Sequence, residues 1–160
     1  MRKVLIILIV LGGFNTIYSQ NISEKDSLEI NQKIGDWNKA WKIKDANLAA
    51  KWYSNDADFT NAFGFNMIGK SNIESYLARV FKMDFVMAGS SEQTSIKLKH
   101  ISKNTVLAIS TIERIGQQVS DGGELGPRKT THHRLFHKKD TWKIIAHLIS
   151  DARSIETNKH

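Results

Sequence analysis

The side chains of this 160-residue chain best suited to proton chemistry fall in two stretches, Tyr53-Ser-Asn-Asp-Ala-Asp-Phe-Thr-Asn61 and Thr130-Thr-His-His-Arg-Leu-Phe-His137. An acid or base that works near neutral pH must project into an apolar pocket, where burial moves its pKa toward the working range. His133 is the leading catalytic candidate, because imidazole titrates near pH 6.5 without any help from its surroundings. Its structural alternative is a cavity-wall histidine satisfied by a neighbouring hydroxyl or backbone group. Asp56 and Asp58 flank Ala57, and Asp56 is the second catalytic candidate, as a base. The alternative for Asp56 is to cap or brace the turn it sits in. Asn61 shares a face with Phe59 by the two-residue period of a strand, so it either offers its carboxamide to a ligand carbonyl or ties its strand to Gly64. Trp41, Tyr53, Phe59 and Phe63 supply aromatic surface for ligand contact or for core.

These residues need a scaffold, and the hydrophobic periodicity supplies one. From Ser23 to about Ala50, Leu28, Ile30, Ile34, Trp37, Trp41 and Leu48 recur mostly three or four apart, as an amphipathic helix requires, with Ser23 capping its start. Asp45 caps a short second helix, 46–53, which delivers Trp52 and Tyr53 to the interior. Segments 58–61 and 65–68 read as short strands joined through Gly64, and a third helix starts at Ser71. Residues 94–101 and 106–115 read as longer strands, with Lys97 and Lys99 facing water. Residues 116–127 form a polar, glycine-rich connection long enough to act as a flap.

The last hairpin orients His133. A two-residue turn at Lys139-Asp140 sets Leu135 opposite Ile144, His133 opposite Ala146, His137 opposite Trp142 and Thr131 opposite Leu148. That mostly apolar face is expected to line the pocket. The other face pairs His132 with His147, Arg134 with Ile145 and Arg128 with Asp151, and its charges point it toward solvent or a partner subunit. Slipping the register by one residue would exchange faces.

Several chemistries are disfavoured by what the chain lacks. With no cysteine there is no disulfide framework and no thiolate site. His132 and His133 are strand neighbours on opposite faces, so they cannot share an ion, and no third ligand joins His132 and His147; no metal is expected. The chain has no nucleophile elbow and no phosphate-binding glycine motif, so no cofactor is expected. The formal charge of +7 is spread along the chain rather than gathered in a basic stripe, which argues against nucleic acid. Residues 1–19 open with Arg2-Lys3, continue as an apolar run from Val4 to Leu11 and reach a small residue at Ser19. That is the pattern of a signal peptide, too short to span a bilayer, and it predicts a periplasmic or secreted protein with no membrane span after cleavage. Residues 20–160 then make one domain.

The ordered series Asp45…Trp52-Tyr53…Asp56-Ala57-Asp58-Phe59…Gly64…Gly69…Ile73, with the closing Asp140-Thr141-Trp142-Lys143-Ile144-Ile145 strand, resembles the NTF2-like superfamily. Within it the chain is similar to SnoaL-like and DUF4440 domains, particularly the SgcJ/EcaC-like branch. The resemblance implies an α+β cone, a strongly bent antiparallel sheet wrapped by three helices, with a pocket between helices and sheet and dimerisation through the sheet. The expected activity is binding of a small, largely apolar molecule, with Trp41, Tyr53, Phe59, Asn61, Phe63 and His133 as contacts. Two other readings stand beside it: a cofactor-free isomerase, dehydratase or hydrolase using a pocket histidine, and a structural dimer module with a filled cone.

Overall fold

Side-chain caps fix where the helices begin. In the computed structural model, which describes residues 22–152, the Ser23 hydroxyl accepts from the Asp26 amide at 3.1 Å and starts α1 (Glu24–Ile43). Asp45 does the same for α2 (Ala46–Ala50), accepting from the Leu48 amide at 2.9 Å. The expected leader at residues 1–19 lies outside the described residues. β1 (Tyr53–Thr60) and β2 (Asn66–Ile68) follow, then α3 (Lys70–Val80), whose first turn has no side-chain cap. Ser71 therefore lies inside α3 rather than at its cap, which is Gly69 at φ +88°. A one-turn helix, α4 (Asp84–Met87), leads into β3 (Ser90–Ser102), β4 (Thr105–Ile115), β5 (Arg128–Lys138) and β6 (Trp142–Asp151). Among the described residues no helix is long and apolar enough to cross a membrane.

The six strands form one sheet in the order β2-β1-β6-β5-β4-β3. All neighbours are antiparallel except β1 and β6, which run parallel, so the expected all-antiparallel sheet is a mixed one. Helix α1 lays Ile30, Ile34, Trp37 and Ala40 across the concave face, and all four are buried. They meet Tyr53, Ala57 and Phe59 of β1, Ile73 and Leu77 of α3, Val106 and Ala108 of β4, Phe136 of β5, and Trp142 and Ile144 of β6 in one core cluster.

The closing hairpin departs from its expected register, and the cause is local. Its turn takes three residues, Lys139 to Thr141, because β5 ends at Lys138 and β6 begins at Trp142, and these two residues pair. Phe136 then pairs with Ile144 and Leu135 with Ala146, so Ile145 is an extra residue that bulges out of the ladder. The turn slips the register by one residue and the bulge by one more. On β5 the buried side chains are Thr130, His132, Arg134 and Phe136, the face expected to meet solvent or a partner. His133, expected inside, lies on the outer face, half-buried, opposite Leu148 of β6 and Ile109 of β4.

Candidate functional site

A cavity of about 1320 Å³ opens between α1, α3 and the concave face of the sheet. Its apolar walls are Trp37 and Trp41 of α1, Phe59 of β1, and Leu77 and Val80 of α3, with Ile112 of β4 on the floor. The cone is hollow because the inner face of β4 and β5 changes character along its length. Toward one end Val106, Ala108 and Phe136 fill the interior, whereas toward the other Arg114, Arg128 and Thr130 leave space between sheet and helices. The loop from Gln117 to Pro127 folds back on itself, with a bridge between Gln118 and Glu124, and closes part of the rim.

The sequence candidates distribute unevenly around this space. Trp41, Phe59, Asn61 and Phe63 line it. Asn61 spends most of its carboxamide on structure: Oδ1 accepts from the Phe63 and Phe65 amides at 2.9 and 3.0 Å, and Nδ2 donates to the Tyr76 hydroxyl at 2.5 Å. Its role as the tie across the Gly64 turn is the one the geometry expresses. Asp56 is exposed on the outer side of β1, since Ala57 and Phe59 take the inward positions, and it is not among the cavity residues. His133 likewise stands on the far side of the sheet from the cavity. Tyr53 is fully buried beneath the cavity rather than in its wall.

What Tyr53 reaches is a chain of polar groups on the face that sequence reasoning assigned to solvent or a partner subunit. Its hydroxyl lies 2.5 Å from Nδ1 of His147; Nε2 of His147 lies 3.0 Å from Nδ1 of His132; Nε2 of His132 lies 3.3 Å from the Thr130 hydroxyl. Arg134, with no exposed surface, donates from Nη2 to Nδ1 of His132 at 3.0 Å and from Nη1 to the Ser110 hydroxyl at 2.8 Å. A guanidinium only donates, so Nδ1 of His132 must accept and its proton must sit on Nε2. Nε2 of His147 must then donate, leaving its Nδ1 to accept from Tyr53. Each proton points from Tyr53 toward the cavity, with both rings neutral. Burial, reinforced by the Arg134 charge, holds both histidines well below the usual imidazole range. Burial also pushes the Tyr53 phenol up, keeping it a donor. His132 and Thr130, each 5% exposed, are the only members of this chain that line the cavity.

Arg134 forms no ion pair among the described residues; its positive charge lies 5.5 Å from the Trp37 ring, and burial brings its pKa down to about 10. At neutral pH the floor of the cavity is backed by an uncompensated cation. Arg128, by contrast, is neutralised by Asp151 at 2.8 Å and donates to Gln117 at 2.7 Å. The expected pairing of Arg128 with Asp151 therefore exists between side chains, although the strand register sets Thr130 opposite Asp151. His132 and His147 touch directly, and among the described residues no three of His, Asp and Glu come together as a metal site.

No protein-family model matches the chain, and no curated protein matches it. Solved structures do. A protein from Caulobacter vibrioides with a cystatin-like fold superposes with a TM-score of 0.73 at 17% identity, covering 81% of this chain and 91% of that one. An NTF2-like protein with a cystatin-like fold from Novosphingobium aromaticivorans gives 0.67 at 14% identity, covering 82% and 85%. The chain has the NTF2-like fold. A ketosteroid isomerase-like protein from Erwinia carotovora atroseptica, TM-score 0.66 at 15% identity, covers 83% of this chain and is itself covered completely.

Within this NTF2-like cone, the residues that sequence reasoning missed are His132, Arg134 and His147. The available signal was parity: Phe136, the one aromatic residue between His132 and the turn, shares the even positions of β5 with His132 and Arg134.

Proposed function

We propose that this chain is an exported NTF2-like domain of the SnoaL-like/DUF4440 kind, in its SgcJ/EcaC-like branch, that binds a small, largely apolar molecule in its cone. The observation that carries the reading is the cavity of about 1320 Å³, walled on the helix side by Trp37, Trp41, Leu77 and Val80 with Phe59 beside them, and carrying polar side chains, Arg114, Arg128, Thr130 and His132 among them, on the sheet side. Apolar walls with a small number of oriented donors are what a ligand pocket needs for affinity and orientation respectively. Pairing with a second copy through the outer face of the sheet is part of this reading, supported by the apolar Ile109 and Leu148 there, Leu148 being 50% exposed.

The test is a library of apolar compounds against the purified domain, read by melting temperature and by the fluorescence of Trp37 and Trp41. A ligand at a hundred times its Kd stabilises the folded state by about 2.7 kcal/mol. Ile112→Trp, which places an indole on the cavity floor, should abolish the shift while preserving the circular dichroism spectrum. If no compound raises the melting temperature or changes the fluorescence, the binding reading fails and a purely structural domain replaces it.

A second reading is favoured by the polar chain ending at His132: a cofactor-free isomerase, dehydratase or hydrolase. In it the neutral His132 would polarise a substrate carbonyl through its Nε2 proton, shared with or drawn from the Thr130 hydroxyl 3.3 Å away, as neutral imidazoles do beside fixed positive charge. Its Nδ1 already accepts two hydrogen bonds, so proton abstraction would need a cavity carboxylate, Glu92 or Asp151. Turnover of a carbonyl substrate that disappears in His132→Phe while binding persists would move this reading ahead of simple binding.

A further inference from the structure

Two donors in the cavity wall lack an acceptor, and they stand together. Arg114 of β4 packs its guanidinium 5.2 Å from the Trp41 ring of α1, and both residues line the cavity. Trp41 Nε1 and Arg114 Nε are both buried without a hydrogen-bond partner among the described residues. A buried donor left unsatisfied costs its full desolvation, so such groups in a native fold call for an explanation. Arg114 is fixed rather than loose: its Nη2 donates to the Val86 carbonyl at 2.8 Å, and Gln117 donates to that same carbonyl at 2.9 Å.

The charge balance points the same way. Three cations line the cavity, Lys42, Arg114 and Arg128, against two carboxylates, Glu92 and Asp151. Asp151 belongs to Arg128 at 2.8 Å, and Glu92 is exposed, pairing across the ladder with Glu113. Arg114 forms no ion pair among the described residues. Burial, and then the neighbouring Arg128, bring its pKa down to about 10, so it stays charged at neutral pH. A half-buried guanidinium held against an indole, with a second free donor beside it and no counterion, is a fork awaiting a planar anion.

We propose that the cavity takes an amphipathic monocarboxylate, its carboxylate received by Arg114 at the Trp41 wall and its apolar body directed toward Trp37 and Phe59. The inference rests on the cavity being a binding site and adds the ligand's charge and orientation. Of the two guanidiniums that line the cavity, only Arg114 has no carboxylate partner among the described residues, which suits a single negative charge. Arg114 lies opposite Arg128 and His132 opposite Ser110, four residues along the strands, or about 13 Å. A ligand long enough to span that distance would meet Arg114 at one end and the His132 Nε2 proton at the other.

The experiment compares naphthalene-2-carboxylate with the uncharged, nearly isosteric naphthalene-2-carboxamide by titration calorimetry at pH 7.5 and low salt. The carboxylate should bind about ten- to a hundredfold tighter, the range of a charged hydrogen-bonded contact, and the ratio should shrink as salt is raised. Arg114→Gln should bring the ratio close to one, and Arg114→Lys should retain part of it, with circular dichroism verifying that each variant is folded. Equal affinities in the natural chain, or a preference that survives in folded Arg114→Gln, would overturn the proposal while leaving the cavity a binding site. If neither compound binds, this inference fails, and the binding reading is decided separately by the library screen. Should Arg114→Gln not fold, the Arg114→Lys ratio decides, because an unchanged ratio there removes the geometric role assigned to the fork.

Discussion

Stability should fall as the pH drops from 7.5 to 5.5, a range in which the carboxylates of an ordinary domain hardly titrate, because His132 and His147 are buried as neutral rings. Each has its pKa held well below the usual imidazole value, first by burial and then by the Arg134 charge. In the unfolded chain each takes up a proton near pH 6.5, whereas the folded rings do not. The unfolded state therefore binds more protons as the pH falls, so the stabilisation is complete above about pH 6.5 and declines below it until the folded pKa values are reached. For one such histidine the loss between pH 7.5 and 5.5 is about 1.4 kcal/mol, and for the pair about 2.7 kcal/mol. That is a large share of the 5–15 kcal/mol typical of a domain. The assay is urea unfolding at constant ionic strength, followed by tryptophan fluorescence and circular dichroism together. His147→Gln should leave about half of the pH dependence. A loss under about 1 kcal/mol over this range, or resonances assigned to His132 or His147 that titrate near pH 6.5 in the folded protein, would refute the assignment of two neutral, Arg134-facing rings.

Three further outcomes are expected. Tyr53→Phe removes the donor to His147 Nδ1 in a fully buried site and should cost about 1–3 kcal/mol in urea unfolding, with no change in the far-ultraviolet spectrum. Gly89→Ala should be more damaging than a surface substitution. Its φ of +75° alone costs an alanine about 1–3 kcal/mol, and the added Cβ would sit 1.9 Å from the Ile115 carbonyl oxygen, so a marked drop in melting temperature or loss of soluble protein is expected. Leu148→Lys, at a half-exposed position on the outer face, should shift a dimer to monomer in sedimentation velocity without lowering the monomer's affinity for cavity ligands; a dimer that persists unchanged would move the contact elsewhere.

The fold was legible where the signals were contiguous. Ser23 and Asp45 cap the helices the sequence assigns to them, the spacing of Ile30, Ile34 and Trp37 marks the buried stripe, and the ordered aromatic and glycine series leads to the NTF2-like architecture. The site was less legible for two physical reasons. Strand parity is a one-bit signal, and both the three-residue turn at 139–141 and the extra Ile145 act on it without marking the sequence. The outer face of the sheet also carries Leu107, Ile109 and Leu135, all half-buried, so neither face of β4 and β5 reads as purely polar. Charged and titratable residues are usually solvated, and by that rule His132, Arg134 and His147 belong outside. Only the closed set of hydrogen bonds from Tyr53 through Thr130, invisible in a linear reading, accounts for their burial.

The parallel junction of β1 with β6 has a consequence for how the chain is assembled. Tyr53 pairs with Ile144 and Phe59 with His147, so the strand that follows the first two helices finds its long sheet neighbour only in β6, the last of the described strands. Until β6 has been synthesised, β1 has β2 alone beside it, a three-residue partner, and α1 lacks Trp142 and Ile144 from its core. A nascent chain stopped short of Trp142 would hold an antiparallel β3-β4-β5 meander and an unanchored amino-terminal half. Contacts of such wide sequence separation close late and slowly. The domain is thus built as a clasp fastened by β6, and removing that strand should cost far more than trimming the same length from any of its loops.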